Sequence, residues 1–170
     1  MMEPDNATGG IKKTIVLSLD EQFARLHRRS RALLGLTTAE QLYRQPRQVK
    51  SAFPVHSCGE HLLRSAAAVE QTFGGITANL WDDPFEWTLP ETLSTPESII
   101  EYLDEVEATR RRGFALLTAD RDLWKEIALP SGEMQTLCAL LLETLARAAH
   151  YQGRAFASFR LFSDLRLPPV

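Results

Sequence analysis

The pairing of Ser18 with Glu21, of Thr37 with Glu40 and of Ser57 with Glu60 limits what this chain can fold into. A hydroxyl residue three positions before a glutamate forms a capping box. The hydroxyl accepts from the amide three residues on, and the carboxylate reaches back to the first amide. Each box predicts a helix start. After Ser18, the residues Leu19, Phe23, Leu26, Ser30 and Leu33 repeat at helical spacing, and Gly35 is a natural stop. After Thr37 there is room for about two turns before Pro46; the stretch from there to Pro54 reads as loop. After Ser57, the stripe Cys58, Leu62, Ser65, Val69, Phe73, Ile76 and Leu80 predicts a long helix. The Gly74-Gly75 pair inside it costs about 1 kcal/mol per glycine relative to alanine, which implies a close neighbour or a kink.

Two further helices follow. Thr95 as N-cap, Pro96 in the first position and Glu97 in the first turn open one, with apolar positions Ile99, Ile100, Leu103, Val106, Phe114 and Leu117. The last starts between Glu133 and Thr136 and runs to about Leu161 along the line Leu137, Leu141, Thr144, Ala148, Gln152, Ala155 and Phe159. Between them, "ADRDLWKEIALPSGEMQ" reads as a short turn and then a loop through Pro130-Ser131-Gly132. "TIVLSL" from Thr14 reads as an extended lead-in. The connection from Asp82 to Ser94 is long for a helix–helix turn, so it can carry the chain along the bundle, and the helices it joins need not be antiparallel. Four long amphipathic helices, two short ones and little strand signal predict an all-α four-helix bundle with short extra helices in the connections.

A length of 170 residues suffices for one domain with a sizeable core. The expected layout is a flexible N-terminal extension over residues 1–13 and a single bundle domain over 14–170. The polar N-terminus has no apolar core, and no apolar run approaches the ~18 residues of a membrane span, so neither a signal peptide nor a membrane anchor is expected. A net charge of -3 argues against nucleic acid and anionic membranes. The basic runs Arg25 to Arg31 and Arg110 to Arg112 read as solvated faces. Cys58 and Cys138 make no disulfide framework and match no zinc spacing, which points to a reducing, cytoplasmic setting.

The chemistry-bearing residues concentrate in "LARAAHYQGRAF". On a helical wheel centred on Ala148, Arg147, Tyr151 and Arg154 form a stripe along one flank, whereas His150 points away from the core. Taken alone, the stripe fits either an amphipathic border or a site. The four histidines are His27, His56, His61 and His150; none forms an H-x-x-x-H or H-E-x-x-H pair, and zinc needs three or four ligands. Cys58 falls at the first position of a helix, where the dipole lowers a thiol pKa, or it is simply a small buried residue.

In order and spacing the chain resembles the DinB/YfiT-like four-helix bundles, a metal-dependent hydrolase superfamily, from about Ser18 to Leu161. "HSCGEHLLRSAAAVE" fits the family's second helix with Ser57 and Glu60 in register. "LPSGEMQTLCALLLETLARAAH" fits the Pro-x-Gly-x-x-x-Thr-Leu entry to the last helix, and "HYQGRAF" lies where members read His-x-x-x-His-Arg-Gly-Gln, with Gly153 on the motif glycine. The resemblance implies an up-down-down-up bundle and a metal held by three histidines. Those positions fall on Arg64, Arg147 and Tyr151. His61 and His150 are near but out of register. A slip at 150 breaks the Gly153 match, and a slip at 61 breaks the Ser57–Glu60 match. Arginine offers no lone pair near neutral pH, so the resemblance implies a cleft without its metal, suited to a small anionic ligand such as a carboxylate, phosphate or sulfate. Arg154, His61 and His150 are the supporting residues of this reading. One alternative is a metal-dependent hydrolase or thiol S-transferase, with zinc or nickel held by His61, His150 and a carboxylate such as Glu60. Another is a stress-related structural or interaction protein acting through a dimer face, since bundles of this family often form homodimers.

Overall fold

The computed structural model describes residues 12–45, 55–84 and 88–168. Among them run α1 (Thr14–Leu34), α2 (Ala39–Leu42), α3 (Cys58–Ala78), α4 (Pro96–Ala115) and α5 (Leu137–Arg160). A 3-10 turn at Asp120–Trp124 and two short strands, β1 (Glu126–Ala128) and β2 (Met134–Thr136), lie between α4 and α5. The loop expected up to Pro54 and most of the N-terminal extension lie outside the described residues.

Local signals set several of these boundaries. The Ser57 amide donates to Glu60 Oε2 at 2.6 Å and the Glu60 amide to Ser57 Oγ at 3.3 Å, the reciprocal box that starts α3. Thr95 caps α4 ahead of Pro96, and Thr136 caps α5 by accepting from the Ala139 amide at 3.3 Å. At the far end of α3, Asn79 turns left-handed at φ 55°, and the Trp81 ring folds back onto Gly75, where a Cβ would sit 2.4 Å from a ring carbon. The glycine pair therefore marks a close neighbour.

Four boundaries differ from the sequence expectation. α1 starts at Thr14, so "TIVLSL" is helical and Ser18 is no cap; its hydroxyl donates to the Thr14 carbonyl at 2.8 Å. The cap comes from far along the chain: Asp120 Oδ1 accepts from the Ile15 and Val16 amides at 2.9 and 3.0 Å. The second box is Thr38–Gln41, and α2 is a single turn; Thr37 is buried, and its hydroxyl donates to the Leu33 carbonyl. The segment before α5 holds an antiparallel hairpin pairing Glu126 with Thr136 and Ala128 with Met134, with Gly132 at φ 86° in its turn. α3 ends before Leu80, which is exposed.

One of the basic runs is also corrected. Arg110 is buried rather than solvated. Its Nε and Nη2 donate to Glu107 at 2.7 and 2.8 Å, and it bridges to Asp20 on α1. The other run keeps its ion pairs at the surface, Arg28 with Glu21 and Arg31 with Asp104.

Cross-helix contacts give the topology. Asp20 meets Arg110 and Arg31 meets Asp104, so α1 and α4 are antiparallel. Tyr102 bonds Glu70, and Phe73 packs on Phe114, so α3 and α4 are parallel neighbours. Ser65 bonds the Ala148 carbonyl and Thr72 bonds Thr144, so α3 and α5 are antiparallel. The order is up-down-down-up in an all-α four-helix bundle, and the long α3–α4 connection is what allows the parallel pair. Phe23, Phe73 and Phe114 form a three-ring centre with centroids 5.3 to 5.7 Å apart, joining α1, α3 and α4. Gln152 ties α5 to α1, donating to the Leu26 carbonyl at 2.7 Å and Ser30 Oγ at 2.8 Å. No helix among the described residues is long and apolar enough to cross a membrane.

Three substitutions measured by urea denaturation check this packing. Asp120→Ala is expected to cost about 1 kcal/mol, the worth of a lost helix cap. Gly113→Ala places a Cβ 2.4 Å from the Phe73 ring and is expected to cost about 1–3 kcal/mol, whereas Gly153→Ala meets nothing within 4 Å and is expected to stabilise by up to about 1 kcal/mol.

Candidate functional site along the α3–α5 seam

α3 and α5 meet through small residues. Ser65, Ala66, Ala67, Ala68 and Thr72 are buried on α3; Thr144 and Ala148 are buried on α5. Short side chains let the helices approach, and they leave space beneath the long side chains at the flank. There a cavity of about 70 Å³ has Ala67 and Ala68 as its floor and Arg64, Gln71, Arg147 and Tyr151 as its walls. Arg64 and Gln71 lie about two turns apart on α3, and Arg147 and Tyr151 about one turn apart on α5, so each pair shares a face. Arg147 Nη2 donates to Gln71 Oε1 at 3.3 Å across the seam. Asp83, from the connection after α3, completes the wall.

The three positions picked out by the resemblance, Arg64, Arg147 and Tyr151, thus line one cavity. Arg64 and Tyr151 are half-buried, and Arg147 is exposed. Two guanidiniums, a phenol and a carboxamide face a single carboxylate. Guanidinium groups donate and do not accept, so this set suits an anion and does not fit a divalent cation. Among the described residues no three His, Cys, Asp or Glu side chains converge on a point where they could hold a metal ion.

The supporting residues are placed differently. His150 is exposed on α5, its ring edge-on to Tyr151 with the centroids 5.7 Å apart. Arg154 and His61 line a second cavity, beyond Tyr151 toward the start of α3. The His61 ring stacks against Tyr151 at 6.4 Å and meets His56 edge-on at 5.6 Å. His61 is only 5% exposed, and its Nδ1 has no hydrogen-bond partner among the described residues. Burial, with help from His56, Arg154 and Arg64, holds its pKa down at about 4 against the opposing pull of Glu60. Cys58 is buried, and burial pushes its thiol up to about 12, so its place at the start of α3 does not activate it.

Gln71 and Asp83 carry no sequence signal of their own. Gln71 is recognisable only once Arg64 is fixed on α3, two turns away, and Asp83 reaches the cavity from a connection without periodicity.

The fold is DinB-like. It is similar to the crystal structure of a DinB-like protein from Bacillus cereus ATCC 10987, with a TM-score of 0.69 and 14% identity, covering 91% of this chain and 96% of that one. No family model matches the sequence, and neither does any curated protein.

The buried histidine sets a pH dependence. His61 titrates near 6.5 in the unfolded chain and at about 4 when folded, so between these values the unfolded chain binds the extra proton. Its contribution to stability is intact above pH 6.5 and falls as pH drops toward 4. Replacing it by His61→Gln is expected to reduce the stability lost between pH 7 and pH 4.5 by about 2 kcal/mol, read from urea titrations at the two pH values.

Proposed function

We propose that this protein is a DinB-like bundle that binds a small anion in the α3–α5 cleft, between Arg64 and Arg147, and uses no catalytic metal there. The observation that carries the reading is that Arg64, Arg147 and Tyr151, which stand at the metal-ligand positions implied by the family resemblance, line one cavity. Two guanidiniums present planar, charged donors that match a carboxylate, phosphate or sulfate, and Tyr151 adds a hydroxyl. Asp83 removes one of the two positive charges, so the cleft favours a small anion of low charge. The role is binding or interaction rather than chemistry. A cytoplasmic setting, supported by two free cysteines, and the homodimer implied by the resemblance belong to the same reading.

Calorimetric titration with phosphate, sulfate and acetate at low ionic strength tests it. Saturable binding of at least one anion is expected, and Arg64→Ala and Arg147→Ala should each weaken it by roughly tenfold or more, the loss of a hydrogen bond to a charged group. Absence of binding by all three, or binding indifferent to both substitutions, overturns the reading. So does stoichiometric zinc or nickel in protein purified without chelator, which favours the hydrolase or transferase alternative.

A further inference from the structure

The Arg64–Arg147 cleft contains one group that an anion site does not need. Asp83 stands in its wall beside two guanidiniums, a phenol and a carboxamide. A carboxylate there repels every anion that the arginines attract, unless the anion carries a proton to share with it. The acidic residue therefore bears on which anion the cleft accepts.

The connection that carries Asp83 is anchored two residues earlier, at Trp81. The Trp81 ring packs on Gly75, its Nε1 donates to Asn79 Oδ1 at 3.0 Å, and its carbonyl accepts from Gln71 Nε2 at 2.9 Å. Gln71 also lines the cleft, where its Oε1 accepts from Arg147 Nη2 at 3.3 Å. One carboxamide thus ties the connection to a cleft arginine and uses both of its ends to do so. With the Gln71 oxygen holding Arg147, Asp83 is the charged acceptor that the wall offers a ligand. Its two oxygens have about four lone-pair sites, enough to serve a protein neighbour and a ligand together. The size of the cleft agrees with one small oxyanion. A single water needs roughly 10–15 Å³ of cavity, so about 70 Å³ takes roughly five water-sized atoms, as many as a tetrahedral oxyanion has.

We propose that the cleft selects inorganic hydrogen phosphate over oxyanions without a hydroxyl, with Arg64, Arg147 and Tyr151 donating to the bare oxygens and Asp83 accepting from the P–OH group. The proposal rests on the anion reading of this cleft and names its ligand class. An O–H donor meeting a carboxylate forms a short, charge-assisted hydrogen bond. Sulfate has the same shape but no proton near neutral pH, so it sets its lone pairs against those of Asp83. A site built to receive a hydroxyl discriminates strongly against an analogue that lacks it, because the site's own polar group is then left unmet.

Calorimetric titrations with phosphate and with sulfate at about pH 8 test this. Both are then mainly dianions, so overall charge is matched and the hydroxyl is the difference. Phosphate is expected to bind at least about tenfold more tightly than sulfate, the worth of one hydrogen bond to a charged group. Asp83→Asn, at an exposed position, can donate to sulfate and should bring the ratio of the two affinities to within about threefold. Asp82→Asn removes the same charge from the adjacent residue, which lines a different cavity, and should leave the ratio unchanged. The proposal is overturned if sulfate binds as tightly as phosphate to the unaltered protein, or if Asp82→Asn collapses the ratio as fully as Asp83→Asn. In either case, binding that still depends on Arg64 and Arg147 leaves the anion reading standing. Absence of binding by phosphate, sulfate and acetate alike removes both.

Discussion

The close approach of α3 and α5 is the constraint on which the candidate sites depend. Ser65 donates across the seam to the main-chain carbonyl of Ala148 at 2.9 Å, and Thr72 shares a 2.7 Å bond with Thr144, which also donates to its own Leu140 carbonyl. A serine side chain reaches a neighbouring helix backbone only when the two helices lie close together, and the alanines between these contacts make that possible. Each bond is worth about 1 kcal/mol net, but losing one partner strands the other in a dry interior, so the bonds fix the register more firmly than their sum suggests. A fixed register puts Gln71 opposite Arg147 and His61 opposite Tyr151. The cleft chemistry is a consequence of where the small residues are.

The other half of the bundle is held by charge. Glu107 and Arg110 are both buried on α4, and Arg110 reaches Asp20 on α1. Burial alone would push the Glu107 carboxyl up; hydrogen bonds from Arg110 and Arg111 outweigh it and keep the group ionised. Such a pair adds little net stability over an apolar substitute, yet removing one member leaves a buried charge and costs about 3–5 kcal/mol. Asp120 does related work at the start of α1, where its carboxylate meets two free amides and the positive end of the helix dipole. Both devices link α1 to the segment around the end of α4, helices that share few local sequence cues.

These links also explain what was legible in the chain. All seven positions of the α5 line from Leu137 to Phe159 are buried, because a 3.6-residue repeat against one core is a local signal. Ser57, Thr95 and Pro96 mark true helix starts, because their partners lie within the same turn. Ser18 fails as a start because the competing cap, Asp120, lies about a hundred residues away and lets the helix begin a turn earlier. Arg110 reads as surface because nothing within a turn of it reveals that Asp20 will pack against it. The hairpin is carried by three-residue strands, too short for alternation to register. At the site, Arg147 and Tyr151 of the stripe drawn on the wheel line one cavity and His150 is exposed, whereas Arg154 of the same stripe lines the other cavity. Sequence spacing leaves His61 as an isolated residue, since burial by a second helix has no trace in the local pattern of α3.

Tyr151 lines the smaller cavity and its stacked neighbour His61 the larger, so one seam holds two environments that differ in size and charge. On one side, Arg64 and Arg147 border a small polar space of about 70 Å³ over an alanine floor. On the other, Arg154 and His61 border a wider space of about 370 Å³ with Val55 and Leu161 at its rim. Arg147 and Arg154 are exposed, so their guanidiniums stay hydrated and holding them costs the fold little. His61 differs: it is buried, and its Nδ1 has no hydrogen-bond partner among the described residues, which costs the fold stability. A helix pair fixed by serine and threonine bonds in its interior tolerates this because those bonds, rather than the cleft residues, hold the register. The exposed positions along the seam can therefore vary without altering the bundle that presents them.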